Sequence, residues 1–242
     1  MHYRHASPKI VASWVLLAPG LLAGLVACSG GGGEGGGDDG QGVDLVVVAV
    51  DRTGVADRET WAAEVAGQVG ARTERAMADG ANRLELIGIG SNTQQAARVV
   101  TVDLGGVEGN TAAKRDQARR RLVESVAEAA GQVAAQPVTT NGTDVLAALE
   151  QAADLCHGPG VRSCSVLLAS DMEDQRVSLA TSVEDAVAGL SPGMPDLAGV
   201  HVEVTGIGAS GAGGDVATRV ETVWSQLFEQ AGAVNVRIAR SL

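Results

Sequence analysis

Between Asp44 and Asp51 the chain runs Leu-Val-Val-Val-Ala-Val, six apolar residues in a row with nothing polar to turn toward water. β-branched side chains suit a pleated backbone, and a strand that is apolar on both faces has to be covered on both. This segment therefore calls for a central strand with a packing layer above it and another below. The rest of the sequence supplies those layers. Trp61, Val65 and Val69 recur every four residues with charges opposite them, the period of an amphipathic helix. Leu84 to Ile89 and Ala97 to Leu104 read as two strands around Ser91-Asn92-Thr93, and so short a connection predicts a hairpin with one antiparallel member. Residues 111–135 form the longest helical pattern, with Leu122, Val126, Ala130 and Val133 on one face; Lys114, Arg115, Arg119, Arg120 and Arg121 form a solvated flank, and Pro137 closes it. A third helix is predicted over Asp144 to Leu155 and a buried strand over Ser165 to Ala169. After an ill-defined polar stretch containing proline come a strand over His201 to Ile207, a terminal helix through Val216, Val220 and Leu227, and a last strand over Val234 to Ile238. Six strands interleaved with helices predict an α/β fold: a doubly wound, mostly parallel sheet with helices on both faces. Ligands of such sheets sit outside the carboxyl ends of the strands. Asp51 and Asp171 fall at two such ends, and Thr143 stands at the start of the third helix.

Composition narrows the partners. With 45% hydrophobic residues the chain can bury a core without help from metals, whereas 2% aromatics and 29 acidic against 18 basic residues leave neither stacking platforms nor a phosphate-neutralising surface. Nucleic acid is excluded as a partner on that ground. The first 27 residues have the order of a secretory signal: a basic start (Arg4, Lys9), an apolar run from Ile10 to Leu22, then Leu25-Val26-Ala27-Cys28. The last four resemble the lipobox of bacterial lipoproteins. That resemblance implies cleavage before Cys28, a diacylglycerol on its sulfur, and residence at the cell membrane on the extracytoplasmic side. Residues 28–42 would then be the lipidated cysteine and a glycine-rich tether, SGGGGEGGGDDGQG after the cysteine, with an r.m.s. reach of about 20 Å. The anchor would be the only membrane contact, since an acidic body is repelled by anionic lipid. A simple uncleaved membrane helix is the alternative, the apolar run approaching spanning length. Residues 43–242 are left as the folded domain.

Cys156 and Cys164 flank His-Gly-Pro-Gly-Val-Arg-Ser, a turn sequence able to bring two sulfurs together in a compartment that permits disulfides. A zinc site using His157 is the rival, and it lacks a nearby fourth ligand because the only other histidine of the domain is His201.

The three rim residues, taken together, resemble the metal-ion-dependent adhesion site of von Willebrand factor A domains, and the resemblance covers about Val43 to Ile238. That family places Asp-x-Ser-x-Ser after the first strand, a threonine before the third helix and an aspartate after the fourth strand. The matches are Asp51-Arg-Thr53-Gly-Val55, Thr143 in Gly142-Thr-Asp-Val-Leu-Ala-Ala-Leu149, and Asp171. Val55 departs from the pattern, removing one hydroxyl ligand. The resemblance implies a non-catalytic protein-interaction module in which Asp51, Thr53, Thr143 and Asp171 surround a weak Mg²⁺-type site, open to an acidic residue of a protein partner. Such hard cations take oxygen ligands and retain waters, so Asp57 or a water is a candidate to replace the missing hydroxyl. The alternatives for each residue are structural: Thr143 capping its helix, Asp51 and Asp171 accepting backbone amides in turns.

Two other resemblances compete. Val-Val-Ala-Val-Asp51 is similar to the nucleophile strand of haloacid-dehalogenase-like phosphatases, and Asp171-Met-Glu-Asp174 to their acidic metal motif, which would make Asp51 the nucleophile. Thr53 stands where that family has its second aspartate, and Lys114, the domain's only lysine, lies in a helix. Gly206-Ile-Gly208-Ala-Ser-Gly211 has dinucleotide-loop spacing, but it falls in the last βα unit of a chain with 33 glycines and reads as a flexible loop.

Overall fold

The computed structural model describes residues 42–53, 57–90, 100–107, 109–136, 142–175, 181–211 and 213–240. They belong to one unit, Gln41–Leu242. The leader, Cys28 and the tether lie outside the described residues, as do Val55, Pro137 and the segment Ser91-Asn92-Thr93. Among the described residues no helix is long and apolar enough to cross a membrane.

The elements follow in the order β1 (Val43–Asp51), α1 (Arg58–Ala78), β2 (Arg83–Ile89), β3 (Val100–Asp103), α2 (Ala112–Ala135), α3 (Val145–Cys156), β4 (Val161–Ala169), α4 (Val183–Leu190), β5 (His201–Thr205), α5 (Gly214–Gln230) and β6 (Val234–Ile238). They build one six-stranded sheet in the order β3-β2-β1-β4-β5-β6. All neighbours run parallel except β2 and β3, which are antiparallel, as the hairpin reading required. β1 is central, and its apolar run does what its composition demanded. Val46, Val48 and Val50 enter one core with α1 and α2, while Leu45, Val47 and Ala49 enter the other with α3, α4 and α5.

Local chemistry sets the helix ends. Asp57 caps α1, its carboxylate accepting from Thr60 N at 3.1 Å and Thr60 Oγ1 at 2.9 Å. Its carboxylate is thus used at the start of the helix. Thr111 caps α2 through Lys114 N, and the basic flank of α2 is exposed as expected. Helices α1 and α2 approach closely where Gly131 meets Ala62: a Cβ there would lie 3.1 Å from the Ala62 carbonyl oxygen, so a side chain would have to push the backbones apart by a few tenths of an ångström.

Two strand boundaries and one helix differ from the sequence reading. β4 begins at Val161 rather than Ser165, because its first half is polar and pairs through side chains: Arg162 Nε and Ser163 Oγ donate to Asp44 at 3.0 and 2.6 Å. β5 ends at Thr205. The polar stretch before β5 contains a helix, α4, that periodicity did not reveal. Its two turns bury only Ala186, Val187 and Leu190, too few positions to show a 3.6-residue repeat, and Ser182 starts it by accepting from Asp185 N.

The turn at Gly158-Pro159-Gly160 returns the chain from α3 into β4, and Cys156 and Cys164 are joined by a disulfide across it. Bonded sulfurs offer no thiolate to zinc, and His157 is the exposed C-cap of α3.

Candidate functional site

From β1 the chain lays β2 and β3 to one side, then returns to place β4, β5 and β6 on the other. Loops leaving the carboxyl ends of β1 and β4 therefore diverge, and the crevice between them is the binding position of doubly wound sheets. Asp51 is the last residue of β1; Ser170 and Asp171 follow β4; Thr143 precedes α3. Asp51, Thr53, Thr143 and Asp171 are 0%, 5%, 3% and 2% exposed, a degree of burial that makes each polar atom need a partner.

The partners can be traced atom by atom. Asp51 Oδ1 accepts from Thr53 N at 2.8 Å and from Thr53 Oγ1 at 2.7 Å, while Oδ2 accepts from Ser170 Oγ at 2.6 Å. The Thr53 and Thr143 hydroxyls touch each other, which joins the β1 loop to the start of α3. Thr143 is not the helix cap: Asp144 fills that role through Ala147 N, and Asp174 adds a second carboxylate, accepting from Val145 N at 2.9 Å and Leu146 N at 3.2 Å. Asp171 Oδ1 accepts from Glu173 N at 3.0 Å, the turn expected of it. Its other oxygen, Oδ2, is buried and has no hydrogen-bond partner.

Electrostatics sharpen that observation. Burial pushes the Asp171 carboxyl up to about 8; the neighbouring Asp51 charge adds to the effect, the Glu173 amide opposes it, and the Glu173 charge contributes least. Asp51 is also raised by burial, against the hydrogen bonds from Ser170, Thr53 and Arg52 that hold it down. Two buried carboxylates thus share a rim on which no described cation is paired with either. The donor set is carboxylate and hydroxyl oxygen, the chemistry a small hard divalent cation accepts, and the unpartnered Asp171 Oδ2 is the atom such an ion would satisfy. The residues present fit a Mg²⁺-class ion in that sense. Among the described residues no group of three or more His, Cys, Asp or Glu that could hold a metal comes together, so an ion at the rim would need the threonine hydroxyls as ligands beside the carboxylates.

The same geometry bears on the competing readings. Both Asp51 oxygens are occupied by hydrogen bonds and the side chain has no exposure, while Asp174 is spent on the α3 terminus; the phosphatase reading gains no support from either residue. Gly206, Gly208 and Gly211 all have positive φ in a tight turn before α5. Gly206 has a packing reason for lacking a side chain, since a Cβ would lie 2.6 Å from Trp61 Cη2.

Sequence reasoning missed Ser170, whose hydroxyl bridges Asp51 Oδ2 and Met172 N, and Glu173, which accepts from Ser210 Oγ at 2.9 Å in the loop after β5. A serine beside an aspartate carries no periodic signal, and the Glu173 contact joins residues far apart in sequence. Two buried tryptophans also brace the rim: Trp61 Nε1 donates to the Asp51 carbonyl at 3.0 Å, and Trp224 Nε1 to the Met172 carbonyl at 2.8 Å. Met172 needs that support, its φ of 63° being left-handed.

No protein-family model matches the chain, and no curated protein is significantly similar to it. Solved structures align with it at low identity. The manganese-loaded TRAP protein of Plasmodium vivax does so at 16% identity and a TM-score of 0.35, over 68% of this chain and 57% of that one. The conserved hypothetical protein BatB of Bacteroides thetaiotaomicron aligns at 14% and 0.41, over 83% of this chain and 92% of its own. The pilus adhesin SpaC of Lactobacillus rhamnosus GG, in its open conformation, aligns at 13% and 0.35, over 79% of this chain and 30% of its own. The chain thus spans little more than half of the first and under a third of the last, and at these scores the α/β assignment rests on the chain's own strand order and rim.

Proposed function

We propose that this chain is a lipid-anchored envelope protein whose von Willebrand factor A-like domain recognises a protein partner at the rim of Asp51, Thr53, Thr143 and Asp171, without catalysis. The observation that carries the reading is the unpartnered, buried Asp171 Oδ2 beside Asp51 and two threonine hydroxyls, at the crevice between β1 and β4. Thr53, Thr143 and Asp171 would hold a Mg²⁺-type ion, with Asp51 fixing the Thr53 hydroxyl through Oδ1. Bound there, the ion would offer an open coordination position to an acidic group of the partner. Asp51 and Ser170 keep the β1 and β4 loops in register; Trp61 and Trp224 keep their backbones in place. With Val55 in place of a hydroxyl the site is expected to be weak. The lipid anchor rests on the Leu-Val-Ala-Cys28 sequence and the glycine tether behind it.

Calorimetric titration of the full chain with Mg²⁺ and with Mn²⁺, beside Asp51→Ala and Asp171→Ala, tests the site. Binding by the wild type that both variants lose is the expected result; absence of wild-type binding, or binding untouched in both variants, refutes it. Phosphatase turnover that vanishes in Asp51→Ala would instead establish the enzymatic alternative. For the anchor, wild type is expected in the detergent phase and Cys28→Ala in the aqueous phase after bacterial expression, and equal partitioning of both into the aqueous phase rules it out.

A further inference from the structure

The opposite end of the sheet carries a second concavity that owes nothing to the rim. On the face covered by α1 and α2 the apolar layer stops at β4, and no residue of β5 or β6 belongs to it. Val202 and Val204 of β5 turn into the core on the other face, which leaves His201 and Glu203 on this one, beside Asn235 and Arg237 of β6. The flank of α1, with Arg72 and Arg75, forms the facing wall. Between them lies a cleft of about 500 Å³ at the amino ends of the strands, a size suited to a small molecule.

Three guanidiniums line it, with Glu203 and Asp79 as nearby carboxylates. Glu203 pairs with two of them, its oxygens lying 3.8 Å from Arg72 Nε and 3.7 Å from Arg75 Nη2, beyond hydrogen-bonding distance. Arg72 Nε is buried with no hydrogen-bond partner. Burial lowers the Arg72 pKa, Glu203 and Asp79 work against that, and the charges of Arg75 and Arg237 add to it, so Arg72 feels both of the other cations. Asp44, also at this end, is committed to Arg162 and Ser163. A chain of net charge -11 therefore gathers three arginines around Glu203 and Asp79 in a cleft open to solvent, with one guanidinium donor left unsatisfied.

We propose that this cleft binds a phosphate-class oxyanion through Arg72, Arg75 and Arg237. A planar guanidinium matches phosphate and carboxylate alike, but three of them converging from a helix and a strand suit a tetrahedral ion that accepts in several directions better than a single planar carboxylate. Glu203 holds the arginines in the ligand's absence and competes with it when it arrives.

The test is titration calorimetry of the full chain with inorganic phosphate at low ionic strength and without divalent metal. Wild type is expected to bind; Arg237→Gln, at an exposed strand position and expected to keep the wild-type circular dichroism spectrum, is expected to lose affinity tenfold or more; Glu203→Gln is expected to gain it several-fold. Tighter binding of glycerol 3-phosphate than of phosphate would assign a lipid headgroup as the source, and weaker binding would assign free phosphate. No phosphate binding by wild type and Glu203→Gln, or unchanged affinity in Arg237→Gln, overturns the proposal.

Discussion

Asp171→Asn separates the electrostatics of the rim from its packing, since the amide keeps the shape and removes the charge. In metal-free protein the folded Asp171 carboxyl titrates near 8, against a value of 3.8 for the free side chain. Between those two pH values the folded state holds a proton that the unfolded chain has released, so stability is greatest below 3.8 and is lost as pH rises toward 8. Each pH unit in that window costs about 1.36 kcal/mol per proton. Going from pH 5 to pH 7 in chelator should therefore remove about 2.5 kcal/mol from the wild type, a substantial share of a typical domain's ~5–15 kcal/mol. The proton belongs to the coupled pair, because Asp51 is raised as well, so the variant relieves both residues at once. Asp171→Asn should lose most of the slope and exceed the wild type by about 2–4 kcal/mol at pH 7, with the two converging near pH 4. Urea unfolding followed by circular dichroism at pH 4.5, 6 and 7.5 reads the effect. Saturating Mg²⁺ should then flatten the wild-type slope and leave the variant unchanged. Parallel slopes in the two proteins, or a variant less stable than wild type at pH 7, would refute the account of a buried, repelled carboxylate.

Thr143→Ala should weaken Mg²⁺ binding by about tenfold or more while leaving α3 capped, whereas Asp144→Ala should cost about 1 kcal/mol of stability and leave metal affinity nearly intact; calorimetry and urea melts on the same two samples check the separation. Gly206→Ala should cost about 3 kcal/mol, since it combines a φ of +101° with a Cβ 2.6 Å from Trp61, measured as a fall in urea midpoint. Replacing Cys156 and Cys164 with alanine opens a loop of sequence separation 8 and should cost about 2.5 kcal/mol; non-reduced peptide mass spectrometry should find the linked pair in wild-type protein.

What could be read without coordinates was whatever a single element declares by itself. The Leu45 to Val50 run announced a central strand because no other element tolerates that much branched, unbroken apolarity. The four-residue recurrence of Trp61, Val65 and Val69 announced α1 for the same reason. Asp51, Thr143 and Asp171 were singled out by a resemblance at widely spaced positions, and the fold brings these residues to the carboxyl ends of β1 and β4 and the start of α3. Relations between elements were not legible. Nothing local shows that Asp57 and Asp174 spend their carboxylates on helix ends, that Ser170 bridges two loops, or that the apolar layer beneath α1 and α2 stops short of β5 and β6. Those facts depend on which backbone amides go unpaired and on how far a helix extends over a sheet, both outcomes of assembly.

The two tryptophans of the domain hold the rim from opposite sides of the sheet: Trp61 on α1 belongs to one core, and Trp224 on α5 to the other. Each grips a main-chain carbonyl, one at the end of β1 and one just past β4. An event that shifts both loops must therefore be felt by both indoles, and by two helices that belong to different cores. With Trp14 of the leader replaced by Phe, their emission is an optical gauge with two channels: a shift confined to the β1 loop registers in Trp61, one confined to the β4 loop in Trp224, and Phe substitution of either isolates the other. Occupancy of the rim can be watched in that signal without attaching a label to the protein.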